Sequence, residues 1–496
     1  MNPLVARVAE QARRDPTAPA LVDAGQLTSY AELVDSVRAV AAGLAGAPQG
    51  PVAVLARKSA RAVGLVLGVL AAGRTCFVPG PGLPPATLRT LLGQAGCVQV
   101  ISPDTDWDAE RAALVGAAAG ADRPVPSGPT APDPASFLLT TSGSTGTPKI
   151  VPLGAGAVDR FVDWVHAAFD VGPGRRVLSY APLNFDLSLF EVWATLAHGG
   201  QVVLVDPDTA TGPRLLDLLR TRQVHVVEAV PLLYELLVDA ARPHGVRLDT
   251  PDQVVVTGDA IRPACLAALP ALFPNARLTN VYGCTETNDS FRHEVRLPRD
   301  AAGPLPLGDP LPGVSALLVD DAGRVVTGPG VGELYVHTPF QTSGYLHPSG
   351  PPRFVAHPER ADGRRYFRSG DLVRRDPDGT LTLSGRNDFQ VKIRGQQVNL
   401  QEVENVLLAH DDVREAVVVA VSREPGGRSL HAVVRRRAAS GLTDVDVRTF
   451  GARRLPAAAV PSTVRITDGP LPRTATGKPD RDRIRTIETS RRQEQS

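Results

Sequence analysis

Over most of the chain, short apolar runs alternate with stretches whose apolar residues recur every three or four positions. The runs include VAVLA from Val52, VQVIS from Val98, VVLVD from Val202, HVVEAV from His225 and VVVTG from Val254. Runs of this length between turn-forming residues predict buried strands. Between them, GPRLLDLLRTR at 212–222 and PLLYELLVDAAR at 231–242 carry the helical period. Strands that alternate with helices predict βαβ units, and so an α/β core whose sheets are packed by helices. The longest apolar stretch, AVGLVLGVLAA at 62–72, is too short to span a bilayer and predicts a buried helix.

The texture changes near residue 300. Proline and glycine crowd into GPLPLGDPLPGV and TGPGVGELYV, and DPDGTLTLSGR at 376–386 has the look of strands joined by turns. A β-rich subdomain over about 300–387 is expected, closing a large N-terminal domain at 1–387. From Asp388 onward, QVKIRG, LQEVENVLLAH and EAVVVAV predict a strand, a helix and a further strand. That is enough for a small α+β domain at 388–496.

Composition adds mainly exclusions. At 496 residues the chain is too long for one core, and 43% apolar with 21% charged residues is the balance of a soluble protein. Lys and Arg total 53 against 52 for Asp and Glu, which favours neither a nucleic-acid nor a membrane partner. The basic end from Arg473 to Arg492 reads as a solvated face. Cys76, Cys97, Cys265 and Cys284 lack CxxC spacing, so no zinc site or disulfide framework is expected. The first residues hold no apolar run of signal-peptide type, and a cytoplasmic location is expected.

The first chemical signal is Thr140-Thr141-Ser142-Gly143-Ser144-Thr145-Gly146-Thr147-Pro148-Lys149, directly after the apolar ASFLL at 135–139. A hydroxyl- and glycine-rich turn after a strand offers N–H and O–H donors to an anion, and Lys149 adds a positive charge. The spacing is not that of a Walker A loop. Read alone, such a segment is equally a polar surface loop.

This segment resembles the phosphate-binding loop of the acyl-adenylating superfamily, which includes acyl-CoA synthetases and the adenylation domains of nonribosomal peptide synthetases. Four further segments match in order: VYGCTET at 281–287, YFRSGDL at 366–372, GRNDFQVKIRG at 385–395 and PRTATGK at 472–478. The resemblance runs from about Leu27 to Arg481. It implies binding of ATP and Mg²⁺, formation of an acyl-AMP, and transfer of the acyl group to a thiol.

The roles it implies are specific. Thr141, Ser142, Gly143, Ser144, Thr145, Gly146 and Lys149 would hold phosphates, and Tyr282 would lie against adenine. Thr285 would bond the α-phosphate, and Glu286 would hold the metal. Asp371 would accept from the ribose hydroxyls beside Arg386. Lys478 would bridge the two anions during adenylation, as a compact mobile charge can. Asp388 would be the hinge of the small domain, and Gly395 would serve the thiol-transfer state. Taken singly, each of these residues is also explained by an ordinary turn or strand end.

YAPLNFDLSLFE at 180–191 resembles the FDxSxxE segment of amino-acid adenylation domains, whose aspartate pairs with the substrate amine. That residue here is Asp186, which could instead cap a helix starting in LSLFEVWATL. The rest of the implied pocket is Leu187, Phe190, Glu228, Val255, Thr257, Val281, Asp289 and Ser290. Glu228 and Asp289 would be unusual against an aliphatic side chain, so an amino acid with a second amine or another donor group, such as a diamino acid, is expected; the amine met by Asp186 could also sit on the β-carbon. Alternatively Asp289 orders its loop and never touches substrate.

Only 18 residues follow Lys478 and no Gly-Gly-x-Ser site is present. The expectation is therefore a freestanding ligase delivering its product to a separate carrier protein's phosphopantetheine arm or to coenzyme A. The rival readings are an acyl-CoA ligase for a non-amino acid, which has no use for Asp186, and an idle nucleotide-binding homologue. The idle homologue would be expected to lack Lys478, Glu286 or Asp371.

Overall fold

The apolar runs form strands covered on both faces, which is why they read as unbroken rather than alternating. VVLVD contributes the strand Gln201–Leu204, HVVEAV the strand Val226–Ala229, and VVVTG the strand Gln253–Thr257. The computed structural model describes the chain except for residues 105–132, 142–147, 207–209, 349, 394–395, 423–427, 439, 456–458, 475–477 and 495–496. The chain divides into two compact units, Met1–Ala316 with Val336–Phe367, and Leu317–Tyr335 with Arg368–Ser496.

The first unit is built on two sheets. The nine-stranded sheet runs Asp309–Pro310, Asn288–Glu294, Arg277–Cys284, Gln253–Thr257, Val226–Ala229, Arg176–Ser179, Gln201–Leu204, Pro19–Asp23 and Gln26–Ser29. Its centre is parallel, with Val226 beside Val177 and Gln253, and Gln253 beside Arg277. Helices Gly212–Thr221, Pro231–Ala241 and Pro263–Leu272 make the crossovers. Alternate residues divide between two cores. Val226, Val255 and Val281 pack with Phe190 and Trp193 on one face, while Val227, Val254 and Val256 pack with Leu233 and Leu237 on the other.

The five-stranded sheet runs Gln99–Ile101, Val52–Val54, Cys76–Phe77, Ala135–Thr141 and Lys149–Gly154. The apolar stretch 62–72 forms most of the buried helix Ala60–Ala71, capped by the Ser59 hydroxyl on the Ala62 N–H. Among the described residues, no helix is long and apolar enough to cross a membrane.

The second unit is smaller. Val413–Ser422, Arg428–Arg436 and Thr463–Thr467 form a three-stranded sheet. The helix Leu400–Leu408 lays Val403 and Leu407 into a core with Val418 and Val434. Asn399 caps that helix, accepting from the N–H groups of Gln401 and Glu402. The strand segment Asp371–Arg375 pairs antiparallel with Leu381–Arg386, placing Asp371 directly opposite Arg386. The chain is thus a mixed α/β protein with a large N-terminal and a small C-terminal part.

Candidate active site

In the first unit, the polar loop expected to hold phosphates joins two antiparallel strands. Thr141 ends the strand Ala135–Thr141 and lies opposite Lys149, the first residue of the strand Lys149–Gly154. Ser142, Gly143, Ser144, Thr145 and Gly146 lie outside the described residues. Lys149 Nζ sits 4.9 Å from the centre of the Tyr345 ring. The Tyr345 hydroxyl in turn donates to Glu286 Oε1 at 2.6 Å. A loop lysine, a phenol and a buried carboxylate therefore meet at one place, although they are far apart in sequence.

Glu286 is 8% exposed, and burial pushes its carboxyl above the usual range, against the opposing effect of the Tyr345 hydrogen bond. The backbone around it is pinned. Thr342 N–H donates to the Glu286 carbonyl, and Thr338 Oγ1 donates to that of Thr287. Asn288, in the left-handed region at φ 52, is held by its Nδ2 on the Phe340 carbonyl. A bulge separates Tyr282 from Gly283, and a Cβ at Gly283 would collide with the Asn288 backbone. That close approach explains the glycine. Thr285 is half-buried, and the Tyr282 ring is edge-on to Phe291 at 6.0 Å.

Asp186 stands in the turn before a π-helix, Leu189–Ala194, followed by one α-helical turn. A π-turn often marks a functional position. No side chain caps this helix; Asp186 Oδ1 accepts from its neighbour Leu187, 3.1 Å away. The capping role considered for Asp186 is therefore not what the geometry shows. Glu191, fully buried in the same helix, accepts from Ala181 N–H and from Ser179 Oγ. Burial raises its carboxyl to about 7, offset in part by Lys58. Lys58 donates to the carbonyls of Ser179 and Ala181, and burial lowers its ammonium to about 8 against the pull of Glu191. Together they fix the segment that leads to Asp186.

Of the other residues expected to line the pocket, Glu228, Val255, Thr257 and Val281 lie on the face of the nine-stranded sheet that meets this helix. Glu228 is in register with Val255, Val255 with Thr279, and Thr257 with Val281. Glu228, Val255, Thr257, Val281 and Ser290 are all buried, and Phe190 packs with Val255 and Val281. Leu187 is half-buried on the neighbouring core.

In the second unit, Arg386 Nη1 donates to Asp371 Oδ1 at 2.7 Å, with Asp371 only 4% exposed. Ser369 Oγ accepts from Asp371 N–H and donates to the Leu334 carbonyl. Asp388 belongs to the short 3₁₀ turn Asn387–Phe389, and Gly395 lies outside the described residues. The Phe389 ring faces the guanidinium of Arg386 at 5.9 Å and that of Arg481 at 4.1 Å. Lys478 is exposed, and its carbonyl accepts from Thr474 N–H at 2.8 Å. Residues 475–477 of its loop are outside the described residues.

Sequence reasoning did not single out Tyr345, Lys58 or Thr279, and quoted Glu191 and Phe389 only as parts of segments. Lone residues in unremarkable neighbourhoods carry no spacing signal. Glu191 alone could have been found, as the glutamate that closes the FDxSxxE segment.

Comparison with known proteins agrees with this picture. Residues 8–346 match the AMP-binding enzyme family, and residues 402–478 match the AMP-binding enzyme C-terminal domain. An L-proline–[L-prolyl-carrier protein] ligase of Streptomyces coelicolor is 34% identical, over 94% of this chain and 93% of that protein. The phenyloxazoline synthase MbtB of Mycolicibacterium paratuberculosis is 35% identical over 96% of this chain, which spans only 41% of that longer protein. Among solved structures, a four-domain nonribosomal peptide synthetase bound to AMP and glycine superposes with a TM-score of 0.80. It is 25% identical, over 97% of this chain and 36% of that one.

Proposed function

The chain belongs to the AMP-binding enzyme family, and from that premise we propose that it activates an amino acid as its aminoacyl-AMP and passes it to the phosphopantetheine thiol of a carrier protein. The observation that carries the activity is the meeting of Lys149, Tyr345 and Glu286 beside the phosphate-loop hairpin. Carrier transfer is supported by the likeness to a prolyl-carrier ligase over nearly the full length of both chains.

In the first step, a substrate carboxylate oxygen attacks the α-phosphorus of ATP, an O–P bond forms, and pyrophosphate leaves. Two anions approach and charge accumulates on the leaving group, so positioned cations and donors do the work. Lys149 and the hydroxyls of its loop take the phosphates, Thr285 bonds the α-phosphate, and Tyr282 lies along the adenine. Asp371, held by Arg386, accepts from ribose. Lys478 is the proposed cation between the carboxylate and the α-phosphate. Its exposed position suits a side chain that must move. In the second step the carrier thiolate attacks the acyl carbon and AMP leaves. Asp388, in its short turn, is the proposed hinge between the two steps.

The residues present fit Mg²⁺. Glu286 offers a hard, buried oxygen, and no cluster of three or more metal-binding side chains occurs among the described residues. An ion there would take its other ligands from phosphate and water, as Mg²⁺ prefers, and would neutralise charge on the triphosphate. Asp186 is the proposed partner of the substrate amine. A carboxylate beside Phe185, Leu187 and Phe190 is costly without a cation, so an amine-bearing acid is preferred over an amine-free one.

The test is acid-dependent pyrophosphate exchange over a panel of amino acids, β-amino acids and amine-free analogues, with Lys478→Ala and Asp186→Ala as controls. Turnover confined to amine-bearing acids, and lost in both variants, is expected. Turnover confined to amine-free acids would move the enzyme to the acyl-CoA ligase class. Mass analysis of a phosphopantetheinylated carrier against coenzyme A then identifies the acceptor.

A further inference from the structure

Two carboxylates in this pocket have no counter-charge of their own. Glu228 is 2% exposed and its Oε2 is buried without a hydrogen-bond partner; Asp289 Oδ2 is in the same condition. The charges that act on Glu228 are those of Asp289, Glu191 and Asp186, all carboxylates. Asp289 in turn feels Asp186. Glu191 already accepts from Ser179 and Ala181 and lies in the favourable field of Lys58. Three acids therefore share one buried region, and a single substrate ammonium on Asp186 would leave two of them uncompensated.

Such an arrangement is expensive in an empty protein. An unpaired buried carboxylate loses its hydration with nothing in return, so it is retained where a ligand supplies the missing donor. Asp289 does not hold its own loop in place. That loop is fixed by neighbours: Thr287 and Ser290 bond each other and the Asn288 carbonyl, and Asn288 Nδ2 bonds Phe340. The Asp289 carboxylate is left free to face a ligand. Glu228 comes from the strand Val226–Ala229, level with Val255 and Thr279 on one sheet face. Thr279 Oγ1 is likewise buried with no partner. Valines at Val255 and Val281 close the same face and exclude water.

We propose that Glu228 and Asp289 form a subsite for a second ammonium, so that the acid activated is a diamino acid held at one nitrogen by Asp186 and at the other by this pair. The inference rests on the amino-acid-activating reading above. It assigns the pair to specificity and leaves the chemistry to other residues. An ammonium has three donors, and Glu228 Oε2, Asp289 Oδ2 and Thr279 Oγ1 are acceptors that are each buried without a hydrogen-bond partner among the described residues.

The experiment compares kcat/KM in pyrophosphate exchange for ornithine, lysine, β-lysine and their shorter homologues against mono-amino isosteres such as norvaline and norleucine. Wild-type enzyme should favour its best diamino acid over the isostere by about a hundredfold or more, because the isostere leaves buried acceptors unpaired. Glu228→Gln and Asp289→Asn, each close to isosteric, should raise KM for the diamino acid by about tenfold or more while KM for ATP stays unchanged. If one variant does not fold, the other carries the comparison, with thermal unfolding of each as the check. A preference for mono-amino acids would overturn this inference and leave amino-acid activation standing. A selectivity for diamino acids that survives both substitutions would also overturn it. Turnover with amine-free acids alone would overturn both readings.

Discussion

The Tyr345 hydroxyl donates to Glu286 Oε1 at 2.6 Å, while Lys149 Nζ lies over the Tyr345 ring, 4.9 Å from its centre. Tyr345 therefore keeps a buried carboxylate oriented and hydrogen-bonded next to the ring that Lys149 faces. Tyr345→Phe removes the donor and keeps the ring. The expected loss is about 1 kcal/mol of Mg·ATP binding, roughly a fivefold rise in KM for Mg·ATP. KM for the amino acid should hold, and pyrophosphate exchange with each substrate varied in turn measures the split.

Lys478→Ala should abolish most acid-dependent AMP formation, by about a hundredfold or more, because the reaction loses a positive charge aimed at two approaching anions. ATP affinity measured by calorimetry should change far less. A comparable loss in both would mean that Lys478 serves binding alone.

Lys58, through its hydrogen bonds to the Ser179 and Ala181 carbonyls and its charge near Glu191, shapes the approach to Asp186. Lys58→Met leaves the Ser179 and Ala181 carbonyls without their donor and removes the positive charge near Glu191, and should lower stability by about 1.5–3 kcal/mol. Lys58→Met combined with Glu191→Gln should recover part of that loss, since no buried charge is stranded. Urea unfolding of the single and double variants checks both statements.

Burial and Asp186 raise the Asp289 carboxyl to about 8. Below that pH the free pocket holds a proton that an ammonium must displace, with Glu228, Asp186 and Glu191 the other acids facing the region. KM for a diamino acid should therefore fall as pH rises towards about 8, by up to about tenfold per unit, and then level off. Asp289→Asn should weaken this dependence and leave the part that Glu228 carries, since burial raises that carboxyl as well, and the mono-amino isostere should not show it. KM profiles between pH 6 and 9, roughly one unit beyond the carboxyl on its alkaline side, make the comparison.

The layered α/β fold was legible because its strands are runs of valine covered on both faces, as at 202–205 and 254–256. Asp371 and Arg386 were legible as a pair through their segments, and the strands do place them opposite each other. The connection of Glu286 to Tyr345 was not legible, because 59 positions separate them and only folding makes them neighbours. The helix expected from LSLFEVWATL was seen, but not its π-turn geometry, since i,i+4 and i,i+5 bonding leave the same apolar spacing over six residues. Nor could spacing reveal that Glu228 lacks a partner, which depends on what every neighbouring strand presents.

Glu228, Val255 and Thr279 occupy one rung of a parallel sheet, joined through backbone hydrogen bonds that do not depend on their side chains. Exchanging any of them would repaint a wall of the proposed pocket without moving the wall. A lineage can thus inherit the ATP machinery intact and change its diet one side chain at a time. The cost of each step is limited to the desolvation and packing of that side chain, so substrate choice can drift faster than the catalyst that serves it.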